Sequence, residues 1–300
     1  GFAPEDVYTL AGVADLGVLA GASEFDANLS IHMQGGVSAL AVDTDLQGMA
    51  VNLPSELGKR PSARSPSRFD LQFLDNYQSL RWRYQNTLGW VHLDDRVLRG
   101  SVGLGVAPAV IPADQDRVSI GGKLARIDVA AWSEVAAGSN QFAVDWQIDS
   151  LRADELVVGE LLFTDLVLAG RRGVGEFIFS VDADDLVGRV DLSDDTRLGV
   201  DLDFLRLPKP DYSSSDSEFS AADSAVALIE RDPMSVELGR SLPAAWVSIE
   251  QLLIGDDNYG NWQFEIQPEQ DGVRFASLDM DVRGVRLRSS EFFWDLAEDR

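Results

Sequence analysis

Chemistry in this chain has to come from histidine, hydroxyl or carboxylate groups, because its 300 residues contain no Cys and only two His. Thiolate metal sites, disulfide frameworks and cysteine nucleophiles are excluded from the start. His32, in Leu29-Ser-Ile-His-Met33, and His92, in Trp90-Val-His-Leu93, both fall on the polar side of an alternating run. Neither has a visible partner, so both are expected to be exposed strand residues and not members of a triad or a zinc site. Gly100-Ser-Val-Gly103 is not the Gly-x-Ser-x-Gly of a nucleophile elbow, and the Gly103/Gly105 pair lacks the third glycine of a dinucleotide loop. Gly170-Arg-Arg-Gly-Val-Gly175 lacks the Lys-Ser/Thr of a phosphate loop. Asp182-Ala-Asp-Asp185 and Asp256-Asp-Asn-Tyr-Gly-Asn261 begin like calcium loops. The first has no glycine, the second has Gly260 one place early, and neither supplies the bidentate glutamate. Both read as turns. Nothing in the spacing of the 50 acids singles out the carboxylate pair of a glycosidase. The chain reads as no enzyme, with no cofactor and no metal.

Charge excludes further classes. Fifty Asp and Glu against 25 Lys and Arg give a net −25. Nucleic acid binding draws its affinity from cations that neutralise phosphates, and an anionic membrane surface repels such a chain. The one basic cluster, Pro54 to Arg68, is Pro-rich and reads as a solvated loop. Hydrophobic residues make up 45%, so the chain folds around a core. The most apolar stretch, Leu156 to Leu168, is interrupted by Glu160 and Asp165 and is too short to cross a bilayer. No leader follows Gly1, and the chain is read as a piece of a longer protein.

The elements that hold these residues are mostly strands. Period-two alternation marks Leu29 to Met33, Ala39 to Asp43, Leu46 to Leu53, Phe69 to Phe73, Leu80 to Tyr84, Trp90 to Leu93, Gly100 to Val106, Phe142 to Asp149 and Gly199 to Leu207. Short helices are expected at Glu5 to Leu16, at 128–137 with Asp128 as N-cap and Gly138 as the stop, and at Ala221 to Glu230. No parallel βαβ rhythm is visible. The predicted class is all-β, mainly antiparallel, with two or three short helices. An internal repeat underlies it. Leu156-Val-Val-Gly159 returns as Leu252-Leu-Ile-Gly255, Asp165-Leu-Val-Leu-Ala as Asn261-Trp-Gln-Phe-Glu, and Gly188 as Gly284, each 96 residues later. Three parts are expected: 1–208, a Ser/Pro-rich linker with a possible helix at 209–241, and the start of a further unit at 242–300.

Apolar strand faces are abundant. The candidate surface comprises Phe69, Leu71 and Phe73; Trp82 and Tyr84; Phe142, Val144, Trp146 and Ile148; Leu166 and Leu168; Val200, Leu202 and Phe204; and Trp262, Phe264 and Ile266. These are either the core of a sandwich or the open side of a curved sheet able to hold acyl chains. A sugar-binding or a purely structural β protein are the other readings, and both predict these aromatics either clustered with carboxylates or fully covered.

Four stretches resemble the AsmA-like family of bacterial envelope proteins, in particular its YhdP-type members. They are Thr44-Asp-Leu-Gln-Gly-Met-Ala-Val-Asn-Leu-Pro-Ser-Glu-Leu-Gly-Lys59; Gly122-Lys-Leu-Ala-Arg-Ile-Asp-Val-Ala-Ala-Trp132; Leu156 to Asp191 with Leu202-Asp-Phe-Leu-Arg-Leu-Pro208; and Leu242 to Leu287. The resemblance implies an elongated, taco-like β-groove in the periplasm, tethered to the inner membrane by a helix that this chain lacks. It implies carriage of phospholipid between inner and outer membranes, with acyl chains as the bound partner and no nucleophile or metal.

Overall fold

The structure, a computed structural model, describes residues 18–32, 37–94, 96–112, 115–138, 145–173, 175–194, 196–209 and 242–295. Two compact units, Gly1–Asp184 and Asp185–Arg300, divide the chain.

The first unit is dominated by one open sheet. Its strands are β2 (Asp26–Ser30), β3 (Ser38–Thr44), β5 (Ser67–Phe73), β6 (Gln78–Tyr84), β7 (Thr87–Asp94), β8 (Arg96–Leu104), β9 (Val118–Asp128), β10 (Trp146–Val158), β11 (Leu161–Gly173) and β12 (Glu176–Ala183). They pair in that order, and no pairing among the described residues returns β12 to β2. The alternating runs from Ala39 to Leu104 became strands where expected, because alternation puts one face of each in the core and leaves the other solvated. The run Leu46 to Leu53 contracts to β4 (Met49–Val51), which forms a ribbon with β1 (Leu19–Gly21). Leu46 and Gly48 take φ of 53° and 93°, so the chain turns there, and Pro54 has no N–H to extend a ladder.

Parallel pairing is the main departure from the sequence reading. β9 runs parallel to both β8 and β10. Parallel neighbours require a crossover, and helix α1 (Val129–Gly138) lies in the connection from β9 to β10. The Asp128 carboxylate accepts the N–H groups of Ala130 and Ala131 at 3.1 and 3.2 Å, as an N-cap does. The other two helix positions, Glu5 to Leu16 and Ala221 to Glu230, lie outside the described residues. The glycine pair Gly121-Gly122 hid β9, since glycine disfavours strands and breaks the alternating pattern.

The second unit pairs β13 (Leu186–Asp191), β14 (Leu198–Leu207), β15 (Ala245–Ile249), β18 (Asn261–Glu269), β19 (Gly272–Val282) and β20 (Val285–Asp295). β16 (Leu252–Ile254) continues alongside β14 and forms a hairpin with β17 (Asp257–Asn258). β14 is parallel to β15 and β16.

The repeat has a structural basis in register. Ala153 faces Leu166 and Val158 faces Leu161; 96 residues on, Ile249 faces Trp262 and Ile254 faces Asp257. Gly159 and Gly255 turn the two hairpins with φ of 60° and 59°. Each copy also has a parallel seam at one level: Ala153 against Leu124, and Ile249 against Leu202. The third anchor does not hold. Ser277, at φ 53°, is an extra residue that shifts the register of β18 and β19. Gly284 sits in the turn before β20, with φ 81°, whereas Gly188 lies within β13 opposite Leu202.

Candidate functional site

Because paired residues in neighbouring strands share a face, register decides which side chains form a surface. In the first unit one row runs Leu29, Leu40, Leu71, Leu80, Val91, Gly100, Val118, Trp146, Arg172 and Phe177. The next runs Ala27, Val42, Phe69, Trp82, Gly89, Val102, Ile120, Ile148, Gly170 and Phe179, by the same pairings. A third joins Tyr84, Thr87, Leu104, Gly122, Leu151, Leu168 and Val181, and a fourth Leu124, Ala153 and Leu166. The rows lie on one side of the sheet. The opposite side carries Asp43, Arg68, Asp70, Arg81 and Arg83, with Arg68 paired to Asp43 and Asp70 at 3.1 and 2.9 Å. Such exposed pairs contribute little stability but keep the β3–β6 part of that side wet; farther along the same row Ser101 and Ser119 are buried, and Ala109 N–H donates to Ser101 Oγ at 2.8 Å.

The apolar side is sealed at one end, and elsewhere buried Leu71, Leu104, Ile148 and Leu151 are interspersed with half-buried residues. Leu124, Ala153 and Leu166 are 3%, 2% and 1% exposed. Phe69, Leu80, Trp82, Val102, Ile120, Trp146, Phe177 and Phe179 are only half-buried, and Phe73 is exposed. Side chains clasped between two sheets would be sealed along the whole face. Two elements outside the sheet pack on it, the 3-10 turn Ser55–Leu57 against β9 and α1 against β9 and β10. Tyr84 donates its hydroxyl to the Leu57 carbonyl at 3.0 Å, which fastens that turn at the closed end.

Small residues make room for the rings. A Cβ on Gly89 would stand 2.0 Å from the Trp82 ring, and one on Gly170 would stand 2.5 Å from Phe179. Each aromatic lies flat over a glycine on the next strand, which keeps the face smooth. Trp146, Phe177 and Phe179 form a cluster with centroids 5.1 to 5.6 Å apart, in tilted and edge-to-face geometry.

At the sealed end the buried set changes face. Leu124 and Ile127, Ala153 and Leu156, and Phe163 and Leu166 are buried three residues apart in place of two. Asp165, at φ 55°, makes the switch on β11. The same step recurs between Ile249 and Leu252 in the second unit.

In the second unit the core joins Leu202, Ala245, Val247, Ile249, Leu252, Ile266 and Val273, with Val200, Trp262, Phe264 and Phe275 packed against it. Val200, Leu202, Trp262, Phe264 and Ile266 thus come together on one face. Phe204 falls beyond the face-switching step, and the Arg206 guanidinium lies 5.5 Å from its ring. In the first unit Phe69, Leu71, Phe73, Trp82, Tyr84, Trp146, Ile148, Leu166 and Leu168 share the face described above. Phe142 and Val144 lie outside the described residues.

Sequence reading missed the partners of His92 and Lys59. His92 is half-buried, with centroids 4.6 Å from Tyr77 and 4.9 Å from Trp90, and its Nδ1 accepts Arg99 Nε–H at 3.1 Å. Burial, then Arg99 and Arg81, pushes its pKa down. The imidazole is therefore neutral in the folded chain at pH values where the unfolded chain has begun to bind a proton. Stability should be unaffected above pH ~6.5 and fall as pH drops below it toward the folded value. Chemical denaturation from pH 7.5 to 5.0 should show this slope in the parent chain and a smaller one in His92→Phe; parallel slopes would refute the assignment. Lys59 is 8% exposed and donates to the carbonyls of Met49 and Arg60 at 2.6 and 3.0 Å. Burial lowers its pKa while Asp45 acts the other way. It is thus a fastener of the β4 segment and not part of a solvated basic loop. A Lys between Gly58 and Arg60 carries no sequence signal for this; its spacing within the Leu53-to-Lys59 motif was the one available clue.

Among the described residues no group of three or more His, Asp or Glu side chains could hold a metal, and no helix is long and apolar enough to cross a membrane. A family model described as "YhdP protein" matches residues 14–296. No curated protein and no solved structure matches the chain.

Proposed function

The chain belongs to the YhdP family, and from that premise we propose that it is a non-enzymatic section of a lipid conduit. In this reading acyl chains lie along the apolar face of the open sheet, headgroups project past its rim into water, and phospholipid passes through the periplasm between the inner and outer membranes. The observation that carries the proposal is the register that gathers the half-buried Phe69, Leu80, Trp82, Trp146, Phe177 and Phe179 onto one side. Burial of acyl methylenes there would contribute about 0.8 kcal/mol each. Hydrophobic contact has no direction, so chains can slide along the face without deep traps. The ion pairs and acids of the opposite side, within a net charge of −25, keep such a sheet soluble.

The test is organic extraction of the purified chain followed by mass spectrometry. Phospholipid at near-stoichiometric amounts is expected. Lipid-free protein that also fails to take up phospholipid from vesicles would remove the proposal and favour a sugar-binding or structural role.

A further inference from the structure

The apolar face of the first unit carries one charged side chain among its described rows, Arg172, and it stands at the rim. Register places it between Trp146 and Phe177. Its guanidinium carbon lies 5.7 Å from the Phe177 ring centroid, and among the described residues no carboxylate forms an ion pair with it. The neighbouring Arg171, by contrast, is bonded to Glu176 at 3.0 Å. An arginine held over an aromatic ring with its donors unspent is suited to a phosphate.

A pocket of about 270 Å3 opens beside it, several times the ~30 Å3 share of one liquid water. Trp146 and Arg172 line its apolar side, Gln115, Asp116, Arg117 and Asp145 are among the residues of its polar side, and the Arg171–Glu176 ion pair also borders it. Two of these side chains hold buried polar atoms without a partner, Gln115 Oε1 and Arg117 Nε. Arg117 spends Nη1 on Gln147 at 2.6 Å, which leaves Nε still to be satisfied. Buried donors and acceptors are normally paired, so an unspent donor and an unspent acceptor in one pocket point to a ligand that brings both.

We propose that this pocket seats the headgroup of a zwitterionic phospholipid, with Arg172 and Arg117 on the phosphodiester and Asp116, Asp145 and Gln115 on the ammonium. The assignment rests on the lipid-carrying role above and adds a headgroup preference to it. With Arg171 and Glu176 spent on each other, a purely anionic headgroup meets the same two arginines but also Asp116 and Asp145, which repel it. Trp146, at the boundary between pocket and apolar face, sits where the glycerol would pass from water to hydrocarbon.

Calorimetry with soluble short-chain lipids separates the possibilities. The 300-residue chain should bind dioctanoyl phosphatidylethanolamine about tenfold tighter than dioctanoylglycerol, the gain expected of a charge-assisted hydrogen bond, and severalfold tighter than dioctanoyl phosphatidylglycerol. Arg172→Gln should erase the gain over dioctanoylglycerol and leave dioctanoylglycerol affinity unchanged. Asp145→Asn should bring the two phospholipids level. Equal binding of phosphatidylethanolamine and dioctanoylglycerol in the parent chain, or no effect of Arg172→Gln in a variant with unchanged circular dichroism, overturns the headgroup site while leaving the acyl face standing. Displacement of the lipid by submillimolar inorganic phosphate would make this a site for free phosphate and likewise overturn it. Failure of all three lipids to bind would overturn the lipid-carrying role itself, and the headgroup site with it.

Discussion

Trp82→Asp should reduce crosslinking of a phospholipid bearing a photoreactive acyl chain by about tenfold or more. Trp82 lies mid-row between Phe69 and Gly89 and is half-buried, so lipid on this face would have to pass over it. A carboxylate there must either be desolvated against hydrocarbon, at a cost of several kcal/mol, or keep water in the path. Loss of the ring also removes its packing over Gly89, so Trp82→Leu is the necessary companion: it loses the same ring and stays apolar. Crosslinking that falls in the Asp variant and persists in the Leu variant locates the lipid on this face. Equal crosslinking in the Asp variant and the parent would mean that lipid, if carried, travels elsewhere. Arg83→Asp, one residue along and on the opposite side, should change nothing.

Leu166→Ala should destabilise the first unit by about 3 kcal/mol, within the 2–5 kcal/mol range of buried leucine truncations. Leu166 is 1% exposed and stands in register with Ala153, which itself faces Leu124. The direct neighbour in that row, Ala153, is too small to move into the cavity, and Leu124 lies one strand farther off, so relaxation should recover little. Leu162, four residues away on the same strand, is 57% exposed, and its truncation should stay within about 0.5 kcal/mol. Urea unfolding of both variants checks the contrast. Similar midpoints would show that the closed end of the face is not the packed region described above.

Alternation in runs such as Phe69-Asp-Leu-Gln-Phe73 was enough to assign strands and to sort apolar from polar side chains within each. It could also flag Gly159 and Gly255 as equivalent turns, because the Leu-x-x-Gly spacing is local. Asp128 was legible for the same reason, since an N-cap satisfies N–H groups two and three residues ahead. Failures came where distant segments meet. β9 was hidden because its glycines gave no pattern, and its place between β8 and β10 depends on a crossover that no local spacing encodes. Lys59 looked solvated because the carbonyl it seeks belongs to Met49, ten residues back.

By itself the sequence determined a β-rich, acidic chain without thiol chemistry, and it fixed which residues of each strand are greasy, because side-chain direction along a strand has a period of two. Only the tertiary structure decided which of those greasy edges align. Pairing register between strands is set by turns and bulges such as those between Ile148 and Leu151 and at Ser277, and one residue of slip there sends a whole row to the other side. That is why Trp82 and Trp146, sixty-four positions apart in the sequence, belong to one surface, while Phe204, two residues from Leu202, lies off the face that Leu202 occupies.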